Sequence, residues 1–474
     1  MIRSLFAVAC FACSALCAGQ INTPSAAQTA GPDVIARCVE EAKAAAGKVE
    51  FTIHRAEAWQ AVAQVQFRTG DFKAMRRSFA EARRVISGYD DLWFRPQAYE
   101  ELAWRQWRCG EKSEARLTLA RAASETGGIS SVRPRFFWTY RIATDQSQMN
   151  DPAAAEVTWN VARTMKRNGS ELDSFDVGSY AASLARAWKI DEARSVAAEI
   201  KDDLGSSTAW EGIAQAYLNL GDLKSAEAVI PKMERLDAAR ITAKIAEAQI
   251  RAGDTRGAKV LTSSHHNDLY ESEAWVDVVQ QRLKANDVAG AVTAAESISE
   301  PQDRVTALAA IVAQLVKQND PATAHKLATQ AAHDAQQVDF PDHMADAFSS
   351  VAKAQSTAGD HDGATESLQR LRREAEKLDE KDWRTDAPRK WHMIAMIATT
   401  QADIGDFQAA ENTIAQMQFD DNDRERATAT RSIATLIART NGYPEAARWS
   451  QTLTPEMVRC YAWVGVAEGL LDRK

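Results

Sequence analysis

The stretch that decides the fold runs Ala209-Trp210-Glu211-Gly212-Ile213-Ala214-Gln215-Ala216-Tyr217-Leu218-Asn219-Leu220-Gly221-Asp222-Leu223-Lys224-Ser225-Ala226. Its first half spaces small and apolar residues as one face of a helix does; Gly221 interrupts that pattern and Asp222 restarts it. Glycine suits the left-handed backbone that ends a helix, and aspartate can cap the next helix by accepting from its free N–H groups. Ala226 lies one turn inside the second helix, where a small side chain lets the two helices pack closely. The segment therefore predicts a helix hairpin.

The same punctuation recurs along the chain. With the glycine as landmark, equivalents fall at Gly70, Gly110, Asn150, Trp188, Gly221, Gly253, Asn286, Asn319, Gly359, Gly405 and Asn441, at intervals of 32 to 46 residues. Ten of these eleven carry Ala five residues later, Met75 being the departure, and eight have Asp directly after the landmark. Seven residues before the landmark stand Ala63, Ala103, Ala143, Ala181, Ala214, Ala246, Ala352, Ala398 and Ala434, with Val279 and Val312 in the other two units. Both helices of each unit are notched where they cross. Repeats of this length imply an all-α solenoid of about eleven antiparallel hairpins over residues 33–474. Met457 to Leu470 repeats a first helix, with Trp463 and Ala467 in register, and reads as a C-terminal cap over the apolar end of the stack. Val34 to Ala46 reads as a helix covering the first unit.

Ala209 to Tyr217, followed by Gly221-Asp222 and Ala226, resembles a tetratricopeptide repeat. The tryptophan stands in the same register at Trp59 and Trp275, with Tyr99 and Phe348 as aromatic replacements. The resemblance covers roughly residues 50 to 474; the long units between Asn319 and Gly405 and the Trp188 unit depart from it. It implies a right-handed superhelix whose first helices line a concave face, with ligands that are extended peptides or partner helices.

Residues 1–19 read as an export signal: Arg3, an apolar stretch from Leu5 to Leu16, then the small residues Cys17, Ala18 and Gly19. A periplasmic or secreted location is expected, with residues 20–32 as a flexible tether. Ser14-Ala15-Leu16 lacks the upstream Leu and the small residue next to Cys17 that lipid anchoring there would resemble. No later stretch is apolar and long enough to span a bilayer. Cys10 and Cys13 fall inside the signal, so their C-x-x-C spacing carries no chemistry. Cys38, Cys109 and Cys460 are too few and too scattered for a disulfide framework and read as small core residues, one Cys38–Cys109 bridge remaining open.

No G-x-S-x-G, H-E-x-x-H or phosphate-binding loop occurs. His265-His266 lacks neighbours at ligand spacing, so neither metal nor cofactor is expected. The expectation is a protein that is not an enzyme and acts by binding a protein or peptide. The alternatives are a hydrolase-type site in the irregular insertions around Ser170 to Ser174 or Ala375 to Arg389, and a nucleic-acid-binding solenoid. The formal charge of -8 speaks against the last, and no nucleic-acid partner is expected.

Two residues before the landmark stand Arg68, Arg108, Arg186, Arg251, Lys284, Lys317 and Arg439, a ladder that would favour an acidic segment or a terminal carboxylate. The same position is the last turn of the first helix, where the helix dipole alone favours a cation. A second register, with Arg55, Arg95, Arg135, Arg304, Lys390, Arg426 and Arg459, falls where the dipole disfavours a cation and predicts bridges to the end of the preceding unit. Aromatics crowd the first units. Among them Trp104, Trp107 and Tyr140 are expected to face the groove beside Arg108 as anchors for a partner, or else to pack between long units. The candidate contacts are therefore Arg68, Trp104, Trp107, Arg108, Tyr140, Arg186, Arg251, Lys284 and Lys317.

Overall fold

The computed structural model describes residues 31–168, 171–252, 268–378, 386–417 and 423–473. The expected signal (1–19), most of the tether, Cys17, Gly253 and the His265-His266 pair lie outside the described residues, as do parts of both irregular insertions. The described chain is all helical. In order come α1 (Pro32–Ala46), α2 (Thr52–Thr69), α3 (Phe72–Ser87), α4 (Arg95–Arg108), α5 (Lys112–Thr126), α6 (Val132–Gln148), α7 (Pro152–Asn168), α8 (Ser174–Arg186), α9 (Ile190–Glu199), α10 (Asp203–Asn219), α11 (Leu223–Ala228) and α12 (Arg235–Arg251). There follow α13 (Asp268–Lys284), α14 (Val288–Ala295), α15 (Pro301–Lys317), α16 (Pro321–Ala335), α17 (Pro341–Thr357), α18 (His361–Glu376), α19 (Asp386–Asp403), α20 (Phe407–Ala415), α21 (Asp423–Thr440), α22 (Tyr443–Thr452) and α23 (Glu456–Leu471).

The turns explain the hairpins. Left-handed backbone occurs at Gly70, Gly110, Asn150, Trp188, Gly221, Asn286, Asn319, Gly359 and Gly405. In the last hairpin the left-handed residue is Gly442 at φ 93° and not Asn441 as the sequence pattern suggested, because α21 runs on to Thr440 and a neighbouring glycine takes the strained position. The residue after the turn caps the second helix: Asp71, Asp151, Asp222, Asp287, Asp320, Asp360 and Asp406 each accept from the backbone N–H three residues on, at 2.9 to 3.3 Å. The notches lie at the helix crossings. Ala63, Ala103, Ala143, Ala181, Ala214, Ala246, Ala352, Ala398 and Ala434 are wholly buried, as are Ala115, Ala193, Ala226, Ala291, Ala324 and Ala364 on the partner helices.

A second internal bond was not foreseen. Gln66, Gln106, Gln355 and Gln401, four residues before the landmark, accept from Ser78, Thr118, Ser367 and Thr413 at 2.7 to 2.8 Å. Each crosses between the helices of one hairpin and pairs polar groups that would otherwise be buried alone. Three of the seven basic residues that open the first helices, Arg55, Arg95 and Arg304, bridge backward, whereas Arg459 pairs with Glu456 of its own helix. Arg55 donates to the carbonyls of Val49 (2.6 Å) and Glu50 (3.0 Å), Arg95 to Tyr89 (2.9 Å), and Arg304 to Ile298 (2.8 Å). Arg95 and Arg304 also hold Glu125 and Asp334 on their own second helices.

First helices pack on first helices in sequence: α2, α4, α6, α8, α10, α12, α13, α15, α17, α19, α21 and α23. The path then returns to its start, because α23 packs against α21 on one side and against α1 and α2 on the other. Val39 and Ala42 of α1, Val62 and Val65 of α2, and Trp463, Val464 and Ala467 of α23 meet with no space left for a water molecule. Arg68 reaches Asp472 at 2.6 Å and Glu468 at 3.8 Å, across some four hundred residues of chain. α1 stands to α23 as a second helix stands to its hairpin partner. Gly31 precedes α1 as Asp71 precedes α3, and the buried stripe Ile35, Cys38, Val39, Ala42, Ala45, Ala46 repeats that of Met75, Ser78, Phe79, Ala82, Val85, Ile86. Ten hairpins, α12 and one pair drawn from the two ends of the described chain thus form a closed path. The C-terminal helix covers the stack as expected, and the stack it covers includes its own beginning.

The layer whose members touch throughout has the smaller circumference, so the first helices form the inner wall and the second helices the outer one. Cys38, Cys109 and Cys460 are free and buried, which removes the Cys38–Cys109 bridge. Among the described residues no helix is long and apolar enough to cross a membrane.

Candidate functional site on the inner wall

The polar residues of the inner wall are densest where α4, α6 and α8 run side by side. Glu100 on α4 is 6% exposed and takes Arg141 of α6 on both carboxylate oxygens at 2.9 Å. Asp145, one turn beyond Arg141 and 7% exposed, contacts Glu100 and the Trp104 indole. Burial, and then the charge of Glu100 beside it, pushes the Asp145 carboxyl well above the usual carboxylate range. Asp145 therefore holds its proton to higher pH than a free aspartate does. Arg141 also lies over the rings of Phe137 (5.8 Å) and Trp138 (5.5 Å), joining charge to aromatic surface.

Arg186 ends α8 and faces this cluster from the other side. It is exposed, donates to the Ser183 hydroxyl at 2.7 Å, and has no carboxylate within salt-bridge distance among the described residues. Enclosure by the wall lowers its pKa, although Arg remains charged at any working pH. Toward the closing pair the wall continues with Glu57, 5% exposed, whose carboxyl is raised by burial and which lies 3.4 Å from Arg424 of α21. Next to Arg424 on α21, Glu425 meets His392 of α19 at 2.7 Å, which raises the imidazole pKa.

The residues chosen from the sequence divide. Trp104 and Trp107 are half-buried, and Arg108 is exposed without a carboxylate partner among the described residues. Lys112 and Arg116 lie over the Trp107 ring at 5.3 and 5.7 Å. Tyr140 is corrected: its ring is buried to 4% between Phe136 and Tyr180 and offers no exposed face, because α6 and α8 approach closely enough to enclose it. Arg68 belongs to the closing pair. Lys284 and Lys317 are exposed at the ends of α13 and α15, away from the aromatics; Arg251 ends α12, and its side chain is outside the described set. The structure therefore brings Trp104 and Arg186 to Glu100, Arg141 and Asp145, with Phe137 under Arg141, and leaves Trp107 against Lys112 and Arg116 and Arg108 exposed at the end of α4. Glu100, Phe137, Arg141 and Asp145 sit in no shared repeat register, so the pattern that revealed the hairpins was blind to them. Their one sequence signal is the presence of charge in the inward half of first helices that are otherwise apolar.

The raised Asp145 carboxyl sets a pH dependence. A carboxyl whose folded pKa lies above its unfolded value holds its proton better when folded, so stability falls as pH rises from about 4 through the folded pKa. Asp145→Asn keeps a neutral hydrogen-bonding group there. Its urea midpoint is expected to match the wild type near pH 4 and to exceed it at pH 8, each unit of upward shift being worth about 1.4 kcal/mol. A greater loss at pH 8 than near pH 4 would mean that the wall needs the Asp145 charge.

Among the described residues no group of three or more His, Cys, Asp or Glu side chains is placed to hold a metal ion. No family model matches the chain, and no curated protein matches it. Among solved structures, Ton1535 from Thermococcus onnurineus NA1 covers 85% of this chain and 98% of its own at 11% identity, with a TM-score of 0.28. The human IFIT1 dimer with m7Gppp-AAAA covers 90% and 99% at 10% identity, with a TM-score of 0.24. A circular tandem repeat protein with novel repeat topology covers 93% and 96% at 11% identity, with a TM-score of 0.16. Each of these likenesses is distant.

Proposed function

We propose that this chain is an exported, tetratricopeptide-like binding scaffold whose inner wall at α4, α6 and α8 holds a protein or peptide partner, without chemistry on it. The observation that carries this is Arg186, without a carboxylate within salt-bridge distance among the described residues, at the cluster of Glu100, Arg141, Asp145 and Trp104 with the exposed Phe137; Arg108 ends α4 likewise exposed. Most other wall cations are held: Arg141 by Glu100, Arg431 by Glu468, Arg240 by Asp237 and Glu211. A guanidinium without a carboxylate in salt-bridge distance, close to aromatic surface, suits an acidic segment, and the net charge of -8 favours a protein over a nucleic acid. The apolar stretch from Leu5 to Leu16 supports export.

The test is affinity capture from an extract of the source cells, comparing the chain from residue 20 onward with two charge reversals. Arg108→Glu with Arg186→Glu is expected to reduce the captured partner about a hundredfold, since each buried interfacial charge typically costs 2 kcal/mol or more. Lys284→Glu with Lys317→Glu is expected to leave it unchanged. Equal retention by both variants would place the partner elsewhere.

A further inference from the structure

One turn departs from all the others. At the position that ends the first helix, nine left-handed residues are Gly or Asn, and the tenth is Trp188 at φ 63°. Glycine meets no steric penalty there and asparagine little, whereas a bulky side chain crowds its own backbone. The usual compensation would be burial, yet Trp188 is 53% exposed, and its indole makes no hydrogen bond or ring contact among the described residues. The turn itself is ordinary: the Trp188 N–H bonds the Ala185 carbonyl at 3.0 Å and the Lys189 N–H bonds Leu184 at 2.9 Å, as in its neighbours. The fold at this turn calls for glycine and carries an indole.

Trp188 stands two residues past Arg186, which bonds the Ser183 hydroxyl and has no carboxylate within salt-bridge distance among the described residues, on the edge where the wall meets the turns. The adjacent Lys189 is already held by Glu156 at 2.8 Å, so Arg186 is the charge left for a ligand. At the next turn Leu220 is 59% exposed, continuing an apolar edge. Strain kept at an exposed aromatic beside a free cation is the signature of a contact made by something outside the chain.

We propose that Trp188 is the anchor that grips an acidic peptide segment by one of its apolar side chains, while Arg186 takes an adjacent carboxylate, where the segment crosses from the inner wall over the turn edge. This rests on the recognition reading above and names the residue that fixes its register.

Trp188→Gly tests the proposal with two readouts. Because the backbone gains the residue its conformation favours, the thermal midpoint is expected to rise by about 2 °C. The probe for binding is a fluorescein-labelled octapeptide of glutamates carrying one leucine and one phenylalanine. Wild type is expected to bind it, and Trp188→Gly to bind it about tenfold more weakly. The all-glutamate peptide is expected to bind weakly and equally to both. A fall in the thermal midpoint would show that the indole serves its own fold and would overturn the proposal. Unchanged peptide affinity in Trp188→Gly, with loss in Arg186→Ala, would overturn the anchor and leave the recognition reading standing. Absence of wild-type binding would overturn the chemistry proposed for the segment.

Discussion

Gly469→Val is expected to lower the stability of the chain by about 3 kcal/mol or more, the range of an overpacked backbone contact. A glycine inside a helix is ordinarily a weakness, and replacing it with alanine gains about 1 kcal/mol. Here the sign reverses. A Cβ at Gly469 would stand 2.2 Å from the Thr435 carbonyl oxygen and 2.9 Å from the Ala438 methyl, and one at Gly465 would stand 2.2 Å from the Arg431 carbonyl oxygen. The obstructing atoms are backbone of α21 and cannot rotate aside. α23 would have to lift from α21, and with it the Arg431–Glu468 pair at 2.5 Å and the contacts of Trp463 with α1. Even Gly469→Ala should destabilise in urea titration. A gain of 1 kcal/mol from that variant would show that the two helices are not in close contact.

Removing α1 is expected to have an effect as large by a different route. Ile35, Cys38, Val39, Ala42, Ala45, Ala46 and Val49 are buried against α2 and α23, and exposing that surface costs on the order of 5 kcal/mol. In an open array a terminal helix can be lost with local fraying only, since each unit contacts its neighbours and no others. In a closed one the loss uncovers both ends at once. The chain from Lys48 onward should therefore unfold at lower urea and bind a dye that reports exposed apolar surface. Loss of a few tenths of a kcal/mol would mean that α1 is an appendage.

Hairpin positions were legible because their causes are local. A left-handed residue, a capping aspartate and two notched alanines lie within a dozen residues of one another and repeat. Where the rule slipped, from Asn441 to Gly442, a glycine stood next to an asparagine and the helix used one more residue. Closure was not legible. It depends on the sum of small rotations between successive units, which no single unit encodes. One hint lay in α1, whose buried stripe sits in second-helix register. The charged wall was hidden for a related reason: Glu100 and Arg141 are partners 41 residues apart, on different units and in different registers. Tyr140 went the other way, its place on a first helix suggesting exposure that the approach of α8 removes.

Closure bears on the proposed function: among the described residues the first helices form a wall with no free end, so a partner held there would be enclosed by the array and would not lie along an open groove. Closure is best tested by the distance between spin labels at Thr69→Cys and Asp472→Cys, with Cys38, Cys109 and Cys460 replaced by alanine, in the intact chain and in the chain lacking α1. The account predicts one narrow population at the short end of the measurable range for the intact chain, broadening to longer distances when α1 is removed. A broad distribution tens of ångströms out in the intact chain would contradict it and return the molecule to an open superhelix.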